Sequence, residues 1–480
     1  MTAWSLPLSV EPRGLFRAGR FQDGSDAPIA VFAPVDGTVL ATFSGAGGRQ
    51  ADDAVAGAGR AAPMWAALPA TERAGLLRTV ADEVVHRKDR LATILSAEVG
   101  KARAQAEDEV ASAVAHLRTC ASLAESINGR CAPSGPERRQ ETAHRPLGTV
   151  SVITPWNVPL AMVVRALAAA LAAGCPVVVK PSELAPLAVM ELFDVVGEVL
   201  PADVANLVVG LPASVGSSLV RPPVRKISFT GSAPVGAHLM RSAASHAIPL
   251  SLELGGVSHV LVDADADISH AAEQIAVAKL RNAGQACIAP QVVLVHPAAR
   301  PALLEGLLQT IHATPYTDAA GSHGLGPVIN RAAQEKALRH VEDAIARGAV
   351  AHEGASPPHH GTFLSAVVIE DPPLESLIRK EEVFAPVLAV ATVRDMDSAV
   401  QMVNAGPHGL AAYVFSGSAR TARRASHALD VGLVGVNTMQ VASAGLPFGG
   451  TKASGFGAVG GLHGILSFTH PHLTTYGGGW

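Results

Sequence analysis

Cysteine, charge and unbroken apolar runs are all scarce in this chain, and each scarcity removes a class of function. The four cysteines, Cys120, Cys131, Cys175 and Cys287, form no CxxC pair and no Cys/His spacing, which argues against a zinc site and a disulfide framework. Charged residues make up 16% of the 480, and 37 basic against 41 acidic side chains leave a net charge of −4. That field is too weak to gather nucleic acid or an anionic membrane, so a small molecule is the expected partner. The most apolar stretch, residues 159–179, is broken by Arg165 and by Gly174-Cys175-Pro176, and reads as helix, turn and buried strand rather than a membrane span. Residues 1–13 lack a basic run followed by an apolar one, so a cytoplasmic location is expected. No GxGxxG follows a first strand, so the ordinary dinucleotide fingerprint is missing as well.

What is present is enough apolar material for two or three domains, since 48% of 480 residues is too much for one core. Residues 51–67, 70–95 and 105–127 carry apolar side chains at helical spacing. From Gly148 onward, short β-like runs at 148–154, 177–180, 206–210 and 226–230 take turns with helices. Such alternation predicts βαβ units, a parallel sheet and ligand loops at the carboxyl ends of its strands. A second α/β region spans 257–397, with strands at 257–262 and 292–295 and a polar-faced helix near 331–347. The polar, punctuated run 134–145 predicts an excursion away from the core.

Three residue types in this pattern point to acyl-enzyme chemistry. Cys287 lies in Asn282-Ala283-Gly284-Gln285-Ala286-Cys287, Glu253 in Glu253-Leu254-Gly255-Gly256, and Asn157 follows Trp156. A thiol, a carboxylate and an amide can together attack a carbonyl, deliver water and hold an oxyanion. A free cysteine titrates near about 8.5, and no histidine adjoins Cys287, which leaves the carboxylate as its natural base. The duller duties are a structural ion pair for Glu253 and a turn cap for Asn157, while Cys120, Cys131 and Cys175 read as small buried hydrophobes.

Two further segments suit a nucleotide. Lys226-Ile227-Ser228-Phe229-Thr230-Gly231-Ser232 runs a strand into a small-residue turn before a helix, where backbone N–H groups and the Ser232 hydroxyl can meet a phosphate. Many strand-to-helix turns use Gly and Ser with no ligand at all. Lys180-Pro181-Ser182-Glu183 ends another strand with a carboxylate suited to ribose hydroxyls and repelling a 2′-phosphate, which favours NAD over NADP. A solvated loop pair is the commoner fate of such residues.

Seven motifs then fall in one order: Thr154-Pro155-Trp156-Asn157-Val158-Pro159, Lys180-Pro181-Ser182-Glu183, Phe229-Thr230-Gly231-Ser232, Glu253-Leu254-Gly255-Gly256, Gly284-Gln285-Ala286-Cys287, Glu381-Glu382-Val383-Phe384 and Pro447-Phe448-Gly449-Gly450. In this order the chain resembles the NAD(P)-dependent, non-phosphorylating aldehyde dehydrogenase superfamily from end to end. The resemblance implies an α/β fold with a Rossmann-type parallel-sheet cofactor domain (1–126 and 146–252), an α/β catalytic domain (253–445) and a small β oligomerisation arm (127–145 and 462–480). It makes Cys287 the nucleophile, Glu253 the base that activates water, and Asn157 with the Cys287 backbone N–H the oxyanion donors. Lys180 and Glu183 would take the adenosine ribose, Gly231 and Ser232 the pyrophosphate, and Glu382 the nicotinamide ribose with Phe384 beside the ring. Trp156 would line the cofactor cleft or support the turn. NAD is the implied cofactor, with no metal, an aldehyde as substrate, and a homodimer or homotetramer as the assembly.

Some positions depart from the family pattern: Val257 where Lys is usual, Val292 where Arg is common, Ala385 where Gly is usual, and Gly457-Ala458-Val459-Gly460 without an Arg-Glu pair. The resemblance places Met162, Val163, Ala286, Ile288 and residues 440–443 on the substrate channel. That apolar lining, without paired cations, predicts a neutral aliphatic, terpenoid or aromatic aldehyde, and Arg165 is the one nearby charge able to overturn it. The alternatives are a semialdehyde or coenzyme A-acylating dehydrogenase and, outside enzymes, an inactive structural relative; Glu253 favours water as the acyl acceptor.

Overall fold

Two largely parallel sheets and one small antiparallel sheet organise the computed structural model, which describes residues 6–9, 11–133, 138–317, 321 and 323–477. The first sheet has the strand order Arg20–Gln22, Leu15–Arg17, Ala205–Val208, Val177–Lys180, Val150–Ile153, Lys226–Gly231, Leu250–Leu254, Gly455–Phe456. Its five central strands run parallel, and the flanking strands pair antiparallel. Helices Pro159–Ala173, Leu187–Val199 and Ala233–Ala244 make the crossovers. Helices cover both faces of such a sheet, so its strands read as unbroken apolar runs, and all four residues of Val177–Lys180 are buried.

The Pro159–Ala173 helix is buried on every side except at Met162, and the left-handed Gly174 (φ 92°) ends it before Val177–Lys180, as the composition predicts. The single helix expected over 70–95 is instead two, Ala70–His86 and Lys88–Val99, divided at Arg87. The apolar spacing continues through the break because both pieces pack against Arg103–Leu123, so periodicity alone does not reveal it. Arg87 then turns its guanidinium to Glu198 at 2.8 Å.

The second sheet runs Val350–Glu353, Val367–Glu370, Val387–Thr392, Pro290–Val295, Ser258–Val262, Ala411–Phe415, Leu433–Val436, parallel throughout except at its first pair. Val292 is fully buried in one of its central strands. The third sheet pairs Thr469–Gly477 with Arg138–Pro146, and Arg138–Pro146 with Arg130–Pro133. Cys131 is exposed on this sheet, not buried as expected, whereas Cys120 and Cys175 lie in the core. Residues 1–5, 10, 134–137, 318–320, 322 and 478–480 of the expected domain ranges lie outside the described residues. Among the described residues no helix is long and apolar enough to cross a membrane.

Candidate active site

The carboxyl ends of the parallel strands in the first sheet face loops of the second, and residues from five of the seven motifs meet there. Trp156 and Asn157 follow Val150–Ile153, Gly231 ends Lys226–Gly231, and Glu253 lies within Leu250–Leu254. Cys287 precedes Pro290–Val295, while Glu382 and Phe384 precede Val387–Thr392. All of these, with Met162, Ser232 and Lys336, line one cavity of 260 Å³. A wider open depression of 800 Å³ lies along Arg300–Ala313, and no motif residue borders it.

The loop carrying Cys287 is strained and tightly held. Asn282, Ala283 and Gly284 adopt left-handed backbone in succession, at φ 50°, 53° and 72°. Asn tolerates this region, a non-glycine residue such as Ala283 is disfavoured there by roughly 1–2 kcal/mol, and a Cβ on Gly284 would meet the Ala385 carbonyl oxygen at 2.3 Å. The Asn282 N–H donates to Gln105 Oε1 at 2.9 Å. The buried Gln285 side chain donates to the Asn282 carbonyl at 3.0 Å and accepts the Ile329 N–H at 2.8 Å. Beyond the nucleophile, Ser258 Oγ donates to the Cys287 carbonyl at 3.2 Å and the Tyr413 hydroxyl to that of Ile288 at 2.8 Å. Strain stored in this way is characteristic of functional loops.

The three candidate catalytic groups have distinct environments. Cys287 is half-buried, and desolvation pushes its thiol up to about 12; Glu382 and Glu253 act in the same direction while Arg165 opposes them. Asn157 is 4% exposed and donates one amide hydrogen to the Gln285 carbonyl at 2.8 Å, leaving the other available. Glu253 is also 4% exposed, and neither carboxylate oxygen has a hydrogen-bond partner among the described residues. Burial lifts its pKa to about 8, with Arg165 pulling it down.

Arg165 shares a helix face with Met162, to whose sulfur its Nη2 donates at 3.1 Å, and its guanidinium lies 4.6 Å from the centre of the Phe448 ring. It is 6% exposed and makes no ion pair among the described residues. Val163 is fully buried in the helix core and does not face the channel as expected, because neighbouring residues on a helix point about 100° apart. Ile288, partly buried against the second core, lies outside the lining of the 260 Å³ cavity.

The other half of the cavity suits a dinucleotide. Ser232 caps the helix Ala233–Ala244 with no side-chain capping bond, so first-turn N–H groups face the turn. Trp156 and Phe384 meet edge to face at 5.6 Å, and Phe384 itself is left-handed at φ 57°. Burial raises Glu382 to about 7 against the pull of Lys336, whose ammonium donates to the Glu382 carbonyl. At Gly255 a Cβ would sit 2.2 Å from the Glu382 carboxylate, so glycine is what lets that carboxylate reach the wall. Lys180 and Glu183 pair at 3.4 Å at the end of Val177–Lys180, apart from the cavity lining. Lys336 and Gln285 escape sequence reasoning, since one sits on a polar-faced helix and the other acts only through backbone bonds.

Known proteins share this architecture. A model described as the aldehyde dehydrogenase family matches residues 21–473. The chain is 35% identical to a mitochondrial succinate-semialdehyde dehydrogenase of Arabidopsis thaliana, covering 97% of this chain and 90% of that one. It is 36% identical to a probable succinate-semialdehyde dehydrogenase [NADP(+)] of Sinorhizobium fredii, covering 95% and 94%. A crystal structure of an aldehyde dehydrogenase from Brucella melitensis biovar abortus superposes with TM-score 0.95 at 32% identity, covering 98% and 99%.

Proposed function

Because the chain belongs to the aldehyde dehydrogenase family, we propose that it oxidises an aldehyde with an anionic tail to the carboxylic acid through an acyl-Cys287 intermediate, preferring NAD. The observation that carries the chemistry is that Cys287, Glu253 and Asn157 all line one cavity. A thiol raised to about 12 rests protonated, so it needs a base to attack, and Glu253 is the unpartnered carboxylate at hand. The Cys287 sulfur bonds to the aldehyde carbon, and the Asn157 amide and Cys287 N–H stabilise the resulting oxyanion. Bound NAD(P) supplies the acceptor for the two electrons and the hydrogen lost from that carbon. Glu253 passes the thiol proton to solvent, then takes a proton from water as it attacks the thioester and returns it to the departing Cys287 sulfur, releasing the acid and the thiol.

The dinucleotide would be held by Ser232 and the following helix start, by Glu382 with Phe384, and by Lys180 and Glu183. The Glu183 carboxylate supports NAD over NADP, although one of the relatives is named for NADP.

The substrate reading rests on Arg165. A buried cation with no carboxylate in ion-pair range among the described residues, its field shared by Glu253 and Cys287 from further off, suits an anion brought by the substrate beside Met162 on the channel helix. The names of the two relatives, both semialdehyde dehydrogenases, support it. The apolar remainder of the wall keeps the neutral aldehyde as the second reading. We further read the three-stranded sheet as the arm of a homo-oligomer, and the 1–126 plus 146–252 and 253–445 ranges as cofactor and catalytic domains. Initial rates of cofactor reduction with succinic and glutaric semialdehydes and with neutral aliphatic and aromatic aldehydes test the proposal. A higher kcat/KM for the anionic compounds supports it, and preference for neutral ones replaces it with the second reading.

A further inference from the structure

Lys101 and Glu109 form a buried ion pair outside the cavity, 3% and 4% exposed, and both reach the segment that carries Asn157. The helix Lys88–Val99 ends at Gly100, and the chain then turns Lys101 inward. The Lys101 ammonium donates to Glu109 and, at 2.9 Å, to the Asn157 backbone carbonyl. The other oxygen of Glu109 accepts the N–H groups of Leu160 at 2.9 Å and Ala161 at 3.3 Å. Those are first-turn donors of Pro159–Ala173 with no acceptor inside their own helix, at its positive end. One ion pair therefore grips the turn from both sides, by the carbonyl of Asn157 and by the start of the helix beyond it. Asn282 Nδ2 meets the same Asn157 carbonyl at 3.0 Å, which ties the segment to the Cys287 loop.

Burying two full charges is costly unless they are paired and hydrogen-bonded, and apolar residues could fill the same space. Among the described residues, the hydrogen bonds of these two side chains to backbone groups all go to residues 157–161. We propose that Lys101 and Glu109 are positioning residues that set the Asn157 amide where the oxyanion on the Cys287 adduct needs a donor. This rests on the role proposed above for Asn157.

The test uses two reactions of the same sulfur. Aldehyde oxidation passes through an oxyanion, whereas alkylation of Cys287 by iodoacetamide forms none. Lys101→Met, Lys101→Arg and Glu109→Gln are compared with wild type after thermal unfolding confirms that each folds. Lys101→Met should slow the pre-steady-state rate of NADH formation by about tenfold to a hundredfold, leaving the alkylation rate and the KM for NAD near wild type. Lys101→Arg should recover part of the loss, and Lys101→Met should add nothing in an Asn157→Ala background. A wild-type oxidation rate, an equal fall in alkylation, or full additivity with Asn157→Ala overturns the inference. Should Lys101→Met not fold, Glu109→Gln, which keeps shape and acceptor, carries the same comparison. If the wild type itself oxidises no aldehyde, the proposed function falls and this inference with it; if only the variants match wild type, this inference alone falls.

Discussion

The side-chain amide of Asn157 donates to the carbonyl of Gln285 at 2.8 Å, two residues ahead of Cys287. The bond spans the two sheets and orients the second amide hydrogen of Asn157 relative to the nucleophile. Asn157→Ala removes both the donor and the tie. It should lower kcat by about 100- to 1000-fold, the usual cost of one oxyanion donor, in steady-state assays. A fall of less than tenfold would remove Asn157 from the proposed chemistry.

Cys287→Ala deletes the attacking atom without touching the dinucleotide half of the cavity. Aldehyde-dependent NADH formation should vanish while NAD binding, followed by calorimetry, persists. Measurable turnover in this variant is the result that refutes covalent catalysis.

Glu253 keeps its proton up to about 8 in the folded protein against an ordinary 4.5. It serves as a base only when ionised, so deacylation should rise with pH through about 8. The folded state also binds more protons than the unfolded one between 4.5 and about 8, so the stability contributed by this group falls as pH rises across that window. Glu253→Gln removes the base of both half-reactions, so it should slow the first turnover of NADH and abolish sustained turnover, and should flatten that downward trend in melting temperature. Wild-type steady turnover would contradict the first outcome, and an unchanged trend the second.

Arg165→Met preserves most of the packing against Phe448 and removes the cation. For a semialdehyde, kcat/KM should fall by at least about tenfold more than for neutral aldehydes, which lose only the help that Arg165 gives to ionising Glu253 and Cys287. Equal losses for both classes would mean that Arg165 serves packing or Glu253 rather than substrate.

Glu183→Ser removes the carboxylate from the end of Val177–Lys180 and frees Lys180 from its pairing at 3.4 Å. The ratio of kcat/KM for NAD to that for NADP should shift toward NADP. An unchanged ratio would take cofactor discrimination away from this position.

Local pattern reveals what depends on neighbours in the chain. The parallel strands, the helix-turn-strand run from Pro159 to Lys180 and the motif residues of the cavity announce themselves through periodicity, turn residues and motif order. Contacts between distant segments leave no such trace. No residue pattern near Arg138 signals that Thr469–Gly477 will pair with it, and only the family resemblance joins the two segments in one arm; nothing near Leu252 foretells Phe456 opposite. Buried charges are harder still. Lys336 resembles any lysine on a solvated helix, and Lys101 and Glu109 look like surface residues until the fold closes over them, because burial is set by tertiary packing and not by residue type.

Gly455–Phe456 pairs with Leu250–Leu254 only after the whole second sheet has been threaded. On the ribosome, the strand bearing Glu253 must therefore wait with one bare margin while the intervening polypeptide emerges, its backbone groups open to capture by another nascent chain. A stop codon before Gly455 would leave that margin permanently unsealed, so such a fragment should accumulate as aggregate.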